Sequence, residues 1–241
     1  MEDSTATPAP SGTTPPDSPR TFNERFAQYK QGFESTHPHA AEATSSAFQV
    51  AHAPLADGVS EVNIFDFDGT LFRSPEPNFT KWSSEAVGKL KGHPRDRGLG
   101  WFQEVITLSA PYVPVAPGEE WWNQQLVKRV RESMASESAV TVLLTGRTES
   151  YRENIQTLIS HLNLAFDVVG LKSPPEMKTM EFKKEFIDGL VAKYKPRKIN
   201  MWEDRPNHLE EFSRFLLEKK QLQGIDFEVS IPLRFTFTLS R

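Results

Sequence analysis

The sequence predicts an α/β fold in which a parallel β-sheet is covered by helices on both faces, giving three layers. Two observations lead to this prediction. From residue 62 onward, short apolar runs rich in β-branched residues alternate with longer segments whose apolar residues recur at i, i+3, i+4 and i+7. Strands that alternate with helices form parallel sheets, and such sheets bind ligands at the carboxyl ends of their strands.

The first two predicted strands are separated by a long insert. The segment VNIFDFDGT, which begins at Val62, is a short apolar strand followed by a glycine turn, and Ala139–Leu144 is an apolar run that ends in TGR. Residues 75–138 lie between these strands and are rich in Trp, Pro and Gly. They include one amphipathic helix, predicted at Trp122–Met134.

The chain after TGR follows a regular pattern. Helical spacing of apolar residues alternates with short strand-like runs, and each strand is followed by a helix except the last. The predicted helices are Ser150–Leu162, Met180–Tyr194 and His208–Lys220, and the predicted strands are Phe166–Leu171, Lys198–Trp202 and Ile225–Ile231.

The N-terminal region differs in composition from the rest of the chain. Up to Arg20 it consists mainly of Ser, Thr, Pro, Ala and Asp, and, apart from the initial methionine, its first bulky apolar residue is Phe22. Such a segment buries too little apolar surface to offset the entropy of ordering its backbone. We therefore expect residues 1–60 to be disordered or weakly ordered and the folded domain to occupy residues 61–241.

Composition and charge exclude several classes of protein. The 241 residues contain no cysteine, which excludes disulfide scaffolds, thiolate metal sites and cysteine nucleophiles. The formal net charge of −4 argues against a protein that coats nucleic acid through bulk charge. No apolar run approaches the roughly 20 residues of a membrane span, and the acidic, polar N-terminus does not resemble a secretory signal. We expect an intracellular protein of the cytoplasm or nucleus with no membrane partner.

Two aspartates follow the first strand. Side chains alternate along a strand, so Asp66 and Asp68 project to one side while the flanking phenylalanines pack on the other. Gly69 allows a sharp turn directly after them. Two neighbouring carboxylates repel each other unless a cation lies between them, and Mg²⁺ prefers oxygen ligands of this kind. The alternative is a pair of solvated turn residues, which the apolar strand before them disfavours.

Two further polar motifs follow predicted strands. Thr145, Gly146 and Arg147 provide a hydroxyl and backbone N–H groups that can hold an anion, although Thr-Gly is also an ordinary turn. Glu203 and Asp204 add two carboxylates after the strand that ends at Trp202. Helix capping explains one acidic residue at that position better than it explains two.

A lysine is expected as well if the site handles phosphate. Lys183 and Lys184 both stand near the start of the helix predicted at Met180–Tyr194, and Lys172 lies at the end of the preceding strand. A solvated surface lysine is the usual alternative for any one of them. The residues alone leave open which of the three is used.

Taken in order, Asp-x-Asp-Gly-Thr, Thr-Gly-Arg, a lysine and an acidic pair resemble the haloacid dehalogenase (HAD) superfamily of phosphotransferases. The resemblance covers about residues 62–227. The segments FDFDGTLFRSPEPNFTKW, EEWWNQQLV, LLTGRTESYRENI, TMEFKKEFI and WEDRPNHLEEF are similar, more specifically, to the HAD domain of the fungal Swiss Army Knife RNA repair proteins. This resemblance implies an HAD-like Rossmannoid fold, with residues 75–138 as a small cap or flap after the first strand.

The resemblance also implies a chemistry for the two aspartates. Asp66 would be the nucleophile that forms an aspartyl-phosphate, and Asp68 would donate and then accept the proton. Mg²⁺ would be bound by the Asp66 carboxylate, the Asp68 backbone carbonyl and Asp204, with Glu203 supporting it through a water. Asp204 is preferred over Glu203 as the direct ligand because it is closer to the following helix.

The same resemblance assigns the phosphate-binding residues. Thr145, Gly146, Arg147 and Lys183 would bind the phosphate, and Lys183 is preferred because the family pattern places a threonine four residues before the lysine. From the residues, Arg147 either grips the phosphate or pairs with a carboxylate. The predicted function is a Mg²⁺-dependent phosphomonoesterase acting on RNA ends, alone or with other RNA-repair modules. The alternatives are a phosphatase of small metabolites or phosphoproteins and a catalytically silent HAD-fold binding module.

Overall fold

A computed structural model describes residues 58–232 of the chain. These residues form a five-stranded, wholly parallel sheet with the strand order β3-β2-β1-β4-β5. The prediction of disorder for residues 1–60 lies almost entirely outside the described residues and stays a prediction. The strands are β1 (Glu61–Phe65), β2 (Ala139–Thr148), β3 (Val168–Lys172), β4 (Lys198–Trp202) and β5 (Asp226–Ser230).

The four predicted helices are present between the strands, and the insert has an additional short helix, Ser84–Lys91, that the sequence pattern did not predict. The helix near Trp122–Met134 begins later than expected, at Gln124, because the Asn123 side chain accepts a hydrogen bond from the backbone N–H of Leu126 and so caps it. The helices are α1 (Ser84–Lys91), α2 (Gln124–Met134), α3 (Arg152–His161), α4 (Thr179–Tyr194) and α5 (Pro206–Gln223).

Two apolar layers, one on each face of the sheet, confirm the three-layer prediction. Along β1, Val62 and Ile64 face the layer formed with α4 and α5, whereas Phe65 faces the layer formed with α2 and α3. All three side chains are buried, which is the expected consequence of side-chain alternation in a strand covered on both faces. Among residues 58–232, no helix is long and apolar enough to cross a membrane.

Strand β2 is longer than the sequence predicted. The apolar run ends at Leu144, but the strand continues through TGR to Thr148, and its pairing with β3 becomes irregular between Leu144 and Thr148. A change of register re-aims the side chains that follow it. The TGR motif therefore lies within an irregular strand end rather than after it.

The insert between β1 and β2 contains α1, four short 3-10 turns and α2. It packs onto the core through buried side chains such as Leu108, Val113 and Trp122. Its predicted limits at residues 75 and 138 stay a prediction, because no comparison tests them. Its position, between the strand that precedes Asp66 and the strand that carries TGR, places it beside the carboxyl edge of the sheet.

Candidate active site

The carboxyl edge of the sheet brings four predicted motifs together. Asp66 follows β1, and its backbone N–H donates to the carbonyl of Trp202, the last residue of β4. Since β1 and β4 are neighbours in the sheet, Glu203 and Asp204 begin beside Asp66. The ring of Phe65 stacks on that of Trp202, with centroids 4.5 Å apart, and fixes the two strand ends side by side.

Lys183 is the lysine that the structure places at this edge. It lies in the second turn of α4, is buried, and donates from Nζ to Asp66 Oδ1 at 2.7 Å and to Glu203 Oε2 at 2.8 Å. The other two candidate lysines lie elsewhere. Lys184 pairs with Glu211 on the surface, and Lys172 lies at the end of β3. Of the three lysines that the residues left open, Lys183 contacts Asp66.

Asp68 has a separate cationic partner. Arg147 donates from Nε to both carboxylate oxygens of Asp68, at 3.0 and 3.1 Å, and from Nη2 to Oδ1 at 2.7 Å. Its Nη1 donates to Thr107 Oγ1 and to the carbonyl of Phe102, both in the insert. Of the two roles left open for Arg147, the structure shows the pairing with a carboxylate, and its predicted contact with phosphate stays untested.

The other two TGR residues are fixed by close contacts. The buried Thr145 hydroxyl donates to Asp68 Oδ2 at 3.2 Å and accepts from the backbone N–H of Arg147. Gly146 packs against the start of α4, where a Cβ would lie 2.7 Å from Thr179 Cγ2. Thr145 is therefore engaged with Asp68 in the structure, and its predicted contact with phosphate stays a prediction.

Three carboxylates form a compact acidic cluster. Each of Asp66, Glu203 and Asp204 offers one oxygen atom, and these atoms lie within 4.8 Å of one another. Gly69 makes the approach of Asp204 possible: its φ of +76° suits glycine, and a Cβ there would lie 2.5 Å from Asp204 Oδ2. The glycine turn expected after Asp68 therefore also leaves room for the acidic pair.

The pKa values of the cluster show how crowded the negative charge is. Burial, together with the charge of Glu203, raises the pKa of Asp66 to about 6 even though Lys183 lowers it. Burial and the charges of Asp66 and Glu203 raise the pKa of Asp204 to about 7. For Glu203, burial is outweighed by the close approach of His208 Nδ1 and by the charge and hydrogen bond of Lys183, which hold its pKa well below the usual range.

The donor set fits a hard divalent cation. Lys183 pairs with Asp66 and Glu203, and Arg205 lies 4.0 Å from Asp204, so two basic side chains face three carboxylates and negative charge is in excess. Oxygen-only donors and repelling carboxylates are what Mg²⁺ or a similar ion binds. The Asp204 side chain is about one-third exposed, while that of Glu203 is buried against Lys183, so Asp204 is the more accessible of the pair.

Comparison with known protein families decides what kind of domain carries this site. Residues 74–236, more than half of the chain, match HAD domain family 1 in Swiss Army Knife RNA repair proteins. The chain belongs to this family. The match contains TGR, Lys183 and the acidic pair, whereas Asp66 and Asp68 lie before it, so their place in the HAD site rests on the geometry above. The fold and the family together make this a domain of the HAD hydrolase type.

Individual relatives of this HAD domain are distant. It is 28% identical over 198 residues to the uncharacterized protein YMR265C of Saccharomyces cerevisiae. The aligned region covers 76% of this chain and 42% of the yeast protein. The chain thus spans less than half the length of that relative. Among solved structures, it is similar to the HAD domain of effector protein Lem4 from Legionella pneumophila, with 13% identity, a TM-score of 0.44, and coverage of 75% of this chain and 90% of the other. An inactive mutant of the same domain gives the same score and identity.

Two further residues of this HAD domain support the cluster and were not predicted as site residues. Thr70 donates from Oγ1 to Asp66 Oδ2 at 3.0 Å. His208, in the first turn of α5, places Nδ1 3.3 Å from Glu203 Oε2. Thr70 stands in the Asp-x-Asp-Gly-Thr motif, so its position in the sequence could have revealed it. His208 is the first residue of the helix predicted at His208–Lys220, and only the folded chain shows its contact with Glu203.

A cavity of about 340 Å³ opens beside the HAD site. Asp68, Gly69 and Asp204 line its acidic side, and Lys91 and Arg205 supply positive charge near them. Lys91 belongs to α1, so the insert contributes directly to this cavity. The remaining lining residues are Ser74, Glu76, Phe102, Gln103, Gly146, Arg147 and Thr179.

Proposed function

We propose that this HAD domain is a Mg²⁺-dependent phosphomonoesterase that removes a terminal phosphate from RNA through an aspartyl-phosphate on Asp66. The observation that carries the proposal is the position of Asp66: it lies at the carboxyl edge of a parallel sheet, bound to a buried lysine and within 4.8 Å of two further carboxylates. This arrangement provides a nucleophile, a charge partner and a cation site in one place.

Asp66 is held in a fixed orientation for attack. Oδ1 accepts from Lys183 and Oδ2 accepts from Thr70, so both carboxylate oxygens have defined directions. One of them would form a bond to phosphorus while the bond from phosphorus to the leaving oxygen breaks, and water would then release inorganic phosphate from Asp66. Bound Mg²⁺ would neutralise phosphate charge so that an anionic carboxylate can approach it. Asp66, Asp204 and the Asp68 carbonyl are the residues that would hold the ion.

The ion pair between Arg147 and Asp68 favours one half of the predicted acid–base role. Although Asp68 is buried, the guanidinium outweighs burial and lowers its pKa. An ionised Asp68 can accept a proton from the water that hydrolyses the aspartyl-phosphate, whereas donation to the leaving oxygen needs the protonated acid. The same ion pair is the observation that favours the alternative function, an HAD module that binds phosphate esters without turnover.

RNA is proposed as the substrate on two grounds. The family is described as the HAD domain of RNA repair proteins. In addition, Lys91 and Arg205 line the cavity, and Phe79, which is 61% exposed, lies beside Lys91. A cation beside an exposed ring suits a nucleic-acid end, because the ring can stack on a base while the cation contacts phosphate. A location in the cytoplasm or nucleus and cooperation with other repair modules belong to the same proposal.

A substrate panel tests the proposal. Phosphate release would be measured from a terminally phosphorylated RNA oligonucleotide, a nucleoside monophosphate and a phosphopeptide, with Mg²⁺ or with a chelator. We expect metal-dependent release, fastest from the oligonucleotide, that is lost in Asp66→Asn and kept in the surface control Asp226→Asn. Release that survives Asp66→Asn would overturn the mechanism. Preference for the nucleotide or the phosphopeptide would overturn the RNA assignment, and no release from any ester would favour the silent module.

A further inference from the structure

A second cavity lies next to the catalytic one. It has a volume of about 320 Å³ and shares three lining residues with the catalytic cavity, namely Phe102, Gln103 and Gly146. The two cavities are therefore adjacent. The second cavity is also lined by His93, Arg95, Thr148, Lys172, Pro175 and Glu176.

Lys172 is the unusual residue of this cavity. It is the last residue of β3, and only 5% of its surface is exposed, yet within residues 58–232 its ammonium makes no hydrogen bond and no close ion pair, and Glu176 is the carboxylate that interacts with it electrostatically. Buried charged groups are normally paired, because taking an ammonium out of water without a partner costs free energy. Burial and the nearby charge of Arg95 both lower the pKa of Lys172. A largely buried lysine whose ammonium lines a cavity without a hydrogen bond, and with one carboxylate, that of Glu176, near it, indicates a site for an anion.

Arg95 completes the positive side of the cavity. Its Nη1 donates to the carbonyl of Glu176 at 2.9 Å and its Nε donates to His93 Nδ1 at 3.3 Å, so the guanidinium is held in place. Glu176 is the one acidic residue among those that line the cavity, and it is exposed. Two cations against one exposed carboxylate leave the cavity positive.

We infer that the cavity of Lys172 and Arg95 is a second anion site, which binds the internucleotide phosphodiester next to the terminal phosphate of the substrate. This inference rests on the proposed function and extends it: the substrate must carry a second phosphate beyond the one that is removed. The two cavities are adjacent but have different cations, Lys91 and Arg205 in the catalytic cavity and Lys172 and Arg95 in the second, so each cavity can take its own phosphate of one RNA end. Charge-assisted contacts to phosphate from Lys and Arg supply the affinity.

The inference is tested by binding and kinetics with matched ligands. The ligands are a terminally phosphorylated trinucleotide, the same trinucleotide with a neutral methylphosphonate at the linkage nearest that phosphate, and a nucleoside diphosphate. The variants are Lys172→Gln and the exposed Arg95→Gln, with Lys128→Gln on α2 as a control of equal charge change. Arg95→Gln keeps the test valid if Lys172→Gln fails to fold.

We expect each site variant to raise the Kd and KM for the charged trinucleotide by about tenfold and to leave kcat little changed. The methylphosphonate should weaken binding to the native domain by at least as much as either variant, and it should weaken binding less in Lys172→Gln than in the native domain, because one of the two contacts to the phosphodiester is already lost there. Hydrolysis of a small aryl phosphate should be unaffected. Equal binding of both trinucleotides to the native domain would overturn the inference, as would a diphosphate that depends on Lys172 as strongly as the trinucleotide does.

Failure of the second site is distinguishable from failure of the proposed function. If the domain hydrolyses no phosphate ester but binds the charged trinucleotide in a way that depends on Lys172, the second site stands and the phosphatase proposal fails. If the domain hydrolyses the trinucleotide but Lys172→Gln behaves like Lys128→Gln, the phosphatase proposal stands and the second site fails.

Discussion

The two aspartates of the first motif lie two residues apart, but the fold gives them different surroundings. Asp66 shares its lysine with Glu203 and lies beside Asp204, and burial, together with the charge of Glu203, raises its pKa to about 6 although Lys183 lowers it. Asp68 has the guanidinium of Arg147 to itself, and its pKa is lowered. One carboxylate is therefore set beside a site that needs a cation, while the other already has one. The difference shows that roles within a short motif are assigned by the partners that other strands and helices bring.

The largest expected effect comes from removing each carboxylate in turn. Asp66→Asn should lower kcat by about 10⁴-fold or more, as expected when a nucleophile is lost. Asp68→Asn should lower it by about 10²–10⁴-fold, the usual contribution of acid–base catalysis. Steady-state rates on an aryl phosphate measure both. A larger loss in Asp68→Asn than in Asp66→Asn would mean that the two aspartates do not divide the work as proposed.

Removing the lysine that Asp66 and Glu203 share should also destabilise the folded domain. Lys183→Met leaves buried Asp66 and Glu203 without their shared ammonium, which should cost about 3–5 kcal/mol of stability together with activity. Lys184→Met, the neighbouring surface lysine, should change stability by no more than about 0.5 kcal/mol. Urea unfolding in metal-free buffer measures the difference. A Lys183→Met protein as stable as Lys184→Met would contradict the ion pairs described above.

Adding metal should stabilise the domain through the acidic cluster around Asp66 and not through the ion pair of Asp68 with Arg147. The native domain should gain about 2.7 kcal/mol when Mg²⁺ is present at 100 times its Kd. Asp204→Asn should lose most of that gain because it removes a ligand of the acidic cluster, whereas Arg147→Lys, on the other side, should keep it. Thermal unfolding with and without Mg²⁺ measures this gain in stability for each variant. Stabilisation that persists in Asp204→Asn would place the cation elsewhere.

The smallest effect concerns the threonine that serves each carboxylate. Thr70 donates to Asp66 and Thr145 donates to Asp68, both from Oγ1 and both buried. Valine has nearly the same shape. Thr70→Val removes the hydrogen bond to Asp66, whereas Thr145→Val removes the one to Asp68 and the one accepted from the Arg147 N–H. At about 1 kcal/mol for each hydrogen bond, both variants should lose several-fold in rate, and Thr145→Val should lose more. Activity in the double mutant tests independence. If the two threonines serve separate carboxylates, their effects should add.

The sequence was sufficient for the sheet and for most of the site. Apolar runs located β4 at the same limits as the structure, and the rule that ligands bind at strand ends selected Asp66 and the acidic pair. The sequence could not show which way side chains point at the irregular end of a strand. TGR looked like a turn after β2, but the irregular end of that strand turns Arg147 toward Asp68. The contact of His208 with Glu203 likewise depends on how α5 is set on the sheet.

Arg147 also touches the insert, through the Phe102 carbonyl and the Thr107 hydroxyl. One guanidinium thus joins the segment that shapes the entrance of the cavity to an aspartate proposed to move a proton. A change in the insert that widens or narrows the entrance would shift the same hydrogen bonds that orient Asp68. In this domain, substrate selectivity and turnover would therefore evolve together. If the insert is replaced by design, the variants should be screened for substrate selectivity and for turnover at the same time.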